Sequence, residues 1–183
     1  MGESVLLAGG ASRRMGQSKA ALPVEGVAMS ERIAAELSRN GWPVTVLGGN
    51  PLEGCKHLQD DHPGNGPLAA LSGFRPSTEL VFVSPCDIPK FDGRLPSVLQ
   101  SQIEGFEAVI PVLDGRDQTL CALYRNAAFV KLAAHPDIFR VRDWIEFLRV
   151  RRVEEAELEA IGGSVDWVRS VNTPEEFSNV VGS

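Results

Sequence analysis

The feature that most constrains this chain is a short apolar run, Val5-Leu6-Leu7-Ala8, that opens directly into Gly9-Gly10-Ala11-Ser12-Arg13-Arg14-Met15-Gly16-Gln17-Ser18-Lys19. A short apolar run ending in glycine reads as a buried strand, and a glycine-rich turn leaving a strand belongs at the carboxyl end of an α/β sheet, where such folds bind ligands. Glycine lets the backbone approach phosphate closely, and cations neutralise it. Between Ser4 and Val24 there is no acid, yet Arg13, Arg14 and Lys19 are present in a chain whose formal net charge is −6. An anionic protein thus gathers positive charge on one glycine-rich loop, which points to a nucleotide.

The rest of the chain alternates strand and helix patterns. Strands are expected over Val5–Ala8, Val44–Leu47, Leu80–Ser84, Ala108–Val112 and Thr119–Tyr124. Helices are expected over Ser30–Ser38, where Ile33, Ala34 and Leu37 share a face and Ser30 can cap, and from Pro67, since proline suits the first helical position. Further helices follow over Leu95–Ile103, Ala127–Ala134 and Arg142–Leu148, with Pro174 opening the last. This alternation predicts a three-layer α/β/α domain with a mostly parallel, Rossmann-like sheet. Asp114-Gly115 between two strand patterns adds an antiparallel hairpin or edge strand. With 183 residues, 43% hydrophobic and 23% charged, and no linker-like tract, one domain over residues 1–183 is expected.

Composition also excludes several classes. No apolar run approaches the roughly 18 residues of a membrane span, and no secretory leader pattern opens the chain, so the expectation is a cytoplasmic protein with no membrane partner. Cys55, Cys86 and Cys121 are odd in number and widely spaced, which argues against a disulfide framework and a thiolate zinc site. His57, His62 and His135 have no ligand spacing. The negative net charge argues against a general nucleic-acid binder.

Known phosphate loops sharpen the reading. A P-loop needs glycine directly before Lys-[Ser/Thr], but Lys19 follows Ser18 and precedes Ala20, so an ordinary P-loop NTPase is excluded. The stretch instead resembles the signature of the MobA-like nucleotidyltransferases, Leu-Ala-Gly-Gly-x-Ser-x-Arg-Met-Gly-x-x-Lys, at every fixed position from Leu7 to Lys19. Three further blocks resemble the same family in order: Asp60 to Leu68, Pro85 to Pro89, and Val171 to Glu176. The resemblance implies that Leu7, Ala8, Gly9 and Gly10 meet the nucleotide through backbone N–H groups of Ala8 to Gly10, and that Arg14 and Lys19 neutralise its triphosphate.

The second block contains a competing pattern. Gly64-Asn65-Gly66-Pro67-Leu68-Ala69 satisfies the dinucleotide fingerprint, with Asp87 further on. Asp60 and Asp61 just upstream would repel a pyrophosphate, however, and no good strand leads directly into Gly64. A glycine turn before Pro67 at a helix start accounts for these residues equally well. The family resemblance implies a different use: an aspartate here, Asp60 by its distance from Pro63 and otherwise Asp61, meets guanine, and Pro67 and Leu68 line the same pocket. A carboxylate can accept two hydrogen bonds from the N1 and 2-amino edge of guanine. The family's Gly-Pro-Leu-Ala-Gly ends here in Ala70, and its asparagine after the second strand is replaced by Leu47-Gly48-Gly49-Asn50.

Asp87 follows the most apolar β-rich run, Leu80 to Val83, and so falls at the tip of a central strand. Magnesium would relieve the cost of charge there, because the ion takes carboxylate, water and phosphate oxygens, and the resemblance implies this role for Asp87. An aspartate capping the next turn is the alternative. Gln118 and Asn172 lie where the family contacts its acceptor; each could also be a turn or cap residue, and Thr173 before Pro174 is an equal cap candidate. Arg140, Arg142, Arg149, Arg151 and Arg152 form a basic cluster that either holds an anionic acceptor or is solvated surface.

The activity the resemblance implies is molybdenum cofactor guanylyl transfer with Mg2+ as cofactor. GTP and molybdopterin are its substrates, proteins that deliver molybdopterin its transient partners, and Arg14, Lys19 and Asp87 the catalytic residues. Cytidylyl transfer, a sugar-phosphate acceptor, or a catalytically silent nucleotide binder are the alternatives; the pair Gly9-Gly10 favours GTP and intact Lys19 and Asp87 favour an enzyme.

Overall fold

Strand β1 (Gly2–Leu7) is buried along its whole length, as a strand with parallel neighbours on both sides must be. The computed structural model describes residues 2–9, 22–24, 26–60 and 64–181 of the chain. After β1 come a short antiparallel pair, β2 (Pro23–Val24) and β3 (Val27–Ala28), then α1 (Met29–Arg39), β4 (Val44–Leu47), β5 (Lys56–Leu58), α2 (Pro67–Gly73) and β6 (Leu80–Pro85). The second half runs α3 (Leu95–Gln100), β7 (Ala108–Leu113), β8 (Arg116–Asp117), β9 (Ala122–Arg125), α4 (Asn126–Ala134), α5 (Val141–Ile145), β10 (Val150–Val153), α6 (Glu155–Ala160), a 3-10 turn at Val165–Trp167 and α7 (Pro174–Val181).

The main sheet has the order β10-β7-β9-β6-β1-β4-β5, with β8 paired to β7. β1 pairs in parallel with β4 and β6, β4 with β5, and β7 with β10, whereas β9 runs antiparallel between β6 and β7. The expected mostly parallel α/β sheet is therefore present. The hairpin forms at Asp114-Gly115, where φ values of 51° and 68° at the two loop residues give the twist that a two-residue hairpin needs. It joins β7 to β8, and the strand expected from Thr119 starts at Ala122.

Helices cover both faces. Ile33, Ala34 and Leu37 of α1, Leu95 and Leu99 of α3 and Leu158 of α6 pack with Leu6, Val46, Phe82 and Leu123 on one side. On the other, Leu68 and Leu71 of α2, Phe129 and Leu132 of α4 and Trp144 of α5 pack with Val5, Val81, Val83 and Tyr124. Each fully buried aliphatic or aromatic side chain contributes roughly 1.5–3 kcal/mol. The one acid inside β1, Glu3, is satisfied at the sheet's amino end by the main-chain N–H and hydroxyl groups of Ser77 and Thr78.

Several boundaries differ from expectation. Ala28, not Ser30, is the N-cap of α1, and Ser30 is buried in its first turn. α3 stops at Gln100 and α5 covers only Val141–Ile145. Strands β5 and β10 at the two sheet edges, and helix α6, had no sequence expectation. Among the described residues no helix is long and apolar enough to cross a membrane.

Candidate functional site

Parallel pairing brings several loops to one edge. Leu7 is in register with both Leu47 and Pro85, and Leu47 with Leu58, so β1, β4, β5 and β6 end side by side. Ala8-Gly9, Gly48-Gly49, Gln59-Asp60 and Cys86-Asp87 are the residue pairs that leave these strands. Three strand intervals of about 4.8 Å separate β5 from β6, but the chain leaving β5 turns back across the Gly48 turn and brings Asp60 against Gly9, at the tip of β1 beside β6.

Glycine dominates the Asp60 end. The N–H groups of Ala8 and Gly9 both donate to Leu47 O at 3.1 Å, and Gly48 N–H donates to Leu58 O at 2.9 Å. The expectation that the N–H groups of Ala8 and Gly9 face the nucleotide is therefore corrected, because both are used in extending the β1–β4 ladder. Gly48 and Gly49 hold φ values of +67° and +61°, a region that side chains other than glycine's disfavour. A Cβ on Gly49 would stand 2.8 Å from Ala8 O, and one on Gly9 3.7 Å from Asp60 Oδ2. His57 of β5 braces the turn, its Nε2 lying 3.3 Å from Gly49 O.

At the tip of β6, Asp87 stands just past the strand's end, with Cys86 between, and its Oδ1 is withdrawn from solvent. The next residue, Ile88, is fully buried, Arg32 of α1 donates through Nη1 to Pro89 O, and Val171 N–H donates to Asp87 O at 2.9 Å. The tip is thus held from the core, from α1 and from the segment before α7. The Cys121 thiol, fully buried nearby, is pushed far up, first by desolvation and then by the charge of Asp87. Cys121 is therefore a packing residue, and Cys55, which burial also shifts upward, is no nucleophile either.

Among the described residues no group of three or more His, Cys, Asp or Glu side chains could hold a metal by itself. A single hard carboxylate at a strand tip fits magnesium, which commonly takes one or two protein carboxylates and completes its shell with phosphate and water oxygens. The donor chemistry at Asp87 is of that kind.

The other expected site residues divide. Leu7 and Leu68 place their side chains in the core and support the edge from beneath. Pro67 is exposed at the start of α2, after Gly64 and Gly66 with φ of +94° and +88°; α2 has seven residues and the nearest upstream strand ends at Leu58, so the dinucleotide fingerprint is a helix-entry turn. Val171 brings Asn172 to the Asp87 tip, but Asn172 N–H donates to Glu176 Oε2 at 2.6 Å while Thr173 Oγ1 accepts from Glu176 N–H at 3.1 Å. That reciprocal pattern makes Thr173 the cap of α7. Gln118 lies on the same edge, with Nε2 donating to Arg116 O at 3.0 Å.

Of the basic cluster, Arg142 and Arg152 line one cavity together with Asp117 and Glu146, and these arginines, with Arg149 and Arg151, carry acid partners. Arg149 pairs with Glu107, Arg151 with Glu157, Arg152 with Asp117 and Arg142 with Asp143. Gly10, Arg14, Lys19 and Asp61 lie outside the described residues. Sequence reasoning missed the bracing roles of Gly48, Gly49, His57 and Arg32; the only signal was the glycine pair itself, directly after a strand.

Three comparisons place this geometry among known proteins. Residues 4–155 match the family described as MobA-like NTP transferase domain. A protein of Pelotomaculum thermopropionicum named "Probable molybdenum cofactor guanylyltransferase" is 35% identical over 185 residues, covering 94% of this chain and 88% of its own. The structure of molybdopterin-guanine dinucleotide biosynthesis protein A from Archaeoglobus fulgidus superposes with a TM-score of 0.81 at 20% identity, over 98% of this chain and 97% of that one. The 2-C-methyl-D-erythritol 4-phosphate cytidylyltransferase of Thermus thermophilus shares the fold at a TM-score of 0.71 and 18% identity, over 100% and 98% of the two chains.

Proposed function

We propose, from the premise that this chain belongs to the MobA-like NTP transferase family, that it transfers GMP from GTP to molybdopterin, giving the guanine dinucleotide cofactor and pyrophosphate. The observation that carries the reading is the shared edge of strand tips, which brings together an aspartate against glycine backbone and a carboxylate suited to a metal. Relatives 35% and 30% identical that are named for this activity support it.

In this reading the guanine lies at the Gly9 and Asp60 end, where the carboxylate accepts from the base's N1 and 2-amino groups. The triphosphate runs toward Asp87. Arg14 and Lys19, both on the glycine-rich loop, take up charge on the β- and γ-phosphates. Asp87 would hold Mg2+, which supplies charge neutralisation at the reacting phosphates when bound. The acceptor's terminal phosphate oxygen attacks the α-phosphorus; the new P–O bond forms as the bond to the bridging oxygen of pyrophosphate breaks. A phosphate oxygen is already anionic near neutral pH, so no general base or covalent nucleophile is needed. The chain's task is to align two anions.

Gln118 and Asn172 border the acceptor side of Asp87. The three free thiols suit a reducing cytoplasm, where proteins carrying molybdopterin would hand over the acceptor. The test is pyrophosphate release with each of the four nucleoside triphosphates, with and without molybdopterin and Mg2+. Release with GTP only when molybdopterin and Mg2+ are both present is the expected result; release with CTP instead, or with none, overturns the reading.

A further inference from the structure

We propose that Trp167 is a positioning residue for the Asp87 carboxylate, gripping the loop that carries it through Arg94. The proposal rests on the reading of Asp87 given above and adds to it a residue beyond the span 4–155 that matches the family. The loop of residues 87–94 lies against the segment of residues 165–171, and contacts join the two. Val171 N–H donates to Asp87 O at 2.9 Å, where the loop begins. Where it ends, the Arg94 guanidinium lies over the Trp167 ring, 4.8 Å from its centroid and within cation–π range. Lys90 Nζ adds a further contact, 3.7 Å from Asp166 Oδ2.

These contacts are unequal. The Lys90 and Asp166 side chains are 44% and 49% exposed, and a solvated pair of this kind adds little. Arg94 is already oriented, because Asp92 accepts from its Nε at 2.9 Å, from its Nη2 at 2.7 Å and from its main-chain N–H at 2.9 Å. A planar cation held in this way offers the indole a fixed face. Trp167 is seated too: its main-chain N–H donates to Ser164 O at 3.1 Å, and its side chain packs against the core cluster that holds Val168. Val168 and Val171, both buried, anchor the segment to the interior. Ile88 and Arg32 hold the loop to the core and to α1. The Trp167–Arg94 contact is what sets segment and loop against each other. A group that aligns reacting phosphates must be held to within roughly 0.5 Å, so turnover depends on that seating.

The test compares Trp167→Ala, Trp167→Phe and Ile138→Ala with the wild type. Ile138 is likewise partly buried, but against the apolar cluster on the opposite face of the sheet, so its alanine variant loses packing away from the Asp87 loop. Hydrogen–deuterium exchange in the ligand-free chains reads the coupling on peptides covering residues 86–94 and 165–173. Pyrophosphate release with GTP, molybdopterin and Mg2+ reads its consequence. In Trp167→Ala both peptides should exchange faster, and kcat should fall about tenfold or more while KM for GTP stays within about twofold of wild type. Trp167→Phe keeps an aromatic face for Arg94 and should recover most of both; Ile138→Ala should match the wild type. If Trp167→Ala does not fold, Arg94→Ala removes the same contact from the loop side and should give the same two changes. Wild-type exchange of residues 86–94 or wild-type kcat in a folded Trp167→Ala or Arg94→Ala, or an equal loss in Ile138→Ala, overturns the positioning role and leaves guanylyl transfer standing. A wild-type chain that releases no pyrophosphate with any triphosphate overturns the reading of Asp87 and the positioning role with it.

Discussion

The main-chain N–H of Val171 donates to the carbonyl of Asp87 at 2.9 Å, stitching the segment that enters α7 to the tip of β6. Residues 84 positions apart in the chain are thereby fixed at one point of the carboxyl edge. Asp87→Ala should leave this backbone bond in place and remove only the carboxylate. Turnover is expected to fall by about 10²–10³-fold or more, as when a group stabilising transition-state charge is lost. GTP affinity should change far less; steady-state kinetics alongside calorimetric binding would show it, and full activity of the variant would exclude the metal role.

The cap at Thr173 offers a test that separates architecture from chemistry. Its hydroxyl accepts from Glu176 N–H while the Glu176 carboxylate accepts from Asn172 N–H. Thr173→Ala should lower stability by about 1 kcal/mol, visible as a shifted urea midpoint with unchanged slope. Because Asn172 sits beside the Asp87 tip, a larger rise in KM for the acceptor than for GTP is expected.

Acid should weaken the opposite edge of the sheet. Glu107, buried at the amino end of β7, is held below the usual carboxylate range first by its hydrogen bond from Lys131, then by Arg149 N–H. A group whose folded value is depressed contributes stability above its unfolded value, 4.5 here, and loses it as pH falls through the folded value. Glu107→Gln should cost about 1.5–3 kcal/mol at pH 7. In urea titrations taken down to pH 3, the gap between wild type and variant should close with acid; a gap that stays constant would show that Glu107 does not titrate differently on folding.

Trp144 is the largest fully buried side chain on the α2–α4–α5 face. Its ring stacks on Tyr124 at 4.8 Å, and its Nε1–H donates to Ala128 O at 3.0 Å. Trp144→Ala should cost about 3–5 kcal/mol. Trp144→Phe should cost less but leave Ala128 O without that donor. Thermal unfolding would rank the three proteins, and nucleotide affinity of the folded fraction should not move, since Trp144 lies on a helix covering the sheet's face.

Much of this arrangement was legible because it rests on local chemistry. Val5 to Leu7, Val44 to Leu47 and Leu80 to Val83 announce buried strands, Pro67 and Pro174 open helices, and Asp114-Gly115 makes a hairpin turn. The illegible parts lack such signals. Strand β5 is Lys56-His57-Leu58, exposed and short; β10 is Val150-Arg151-Arg152-Val153, whose central arginines are drawn to Glu157 and Asp117. Both are edge strands, recruited by the ladder of a neighbour rather than by an apolar pattern of their own. Helix α6 was hidden similarly, with Leu158 its sole buried residue.

The sequence by itself determined which residues carry the chemistry: the run from Leu7 to Lys19, Asp60 and Asp87 stand out because glycine, cation and carboxylate are costly or purposeful where they occur. Tertiary structure alone decided how the described ones meet. Register between β1, β4, β5 and β6 brings the segments that carry Asp60 and Asp87 to one edge of the sheet, and the turn at Gly48 and Gly49, with positive φ, lies beside Gly9 and Asp60. It also turned the N–H groups of Ala8 and Gly9 inward to Leu47. The reason is that hydrogen-bond register and steric contact between strands are long-range properties, fixed only when the sheet forms.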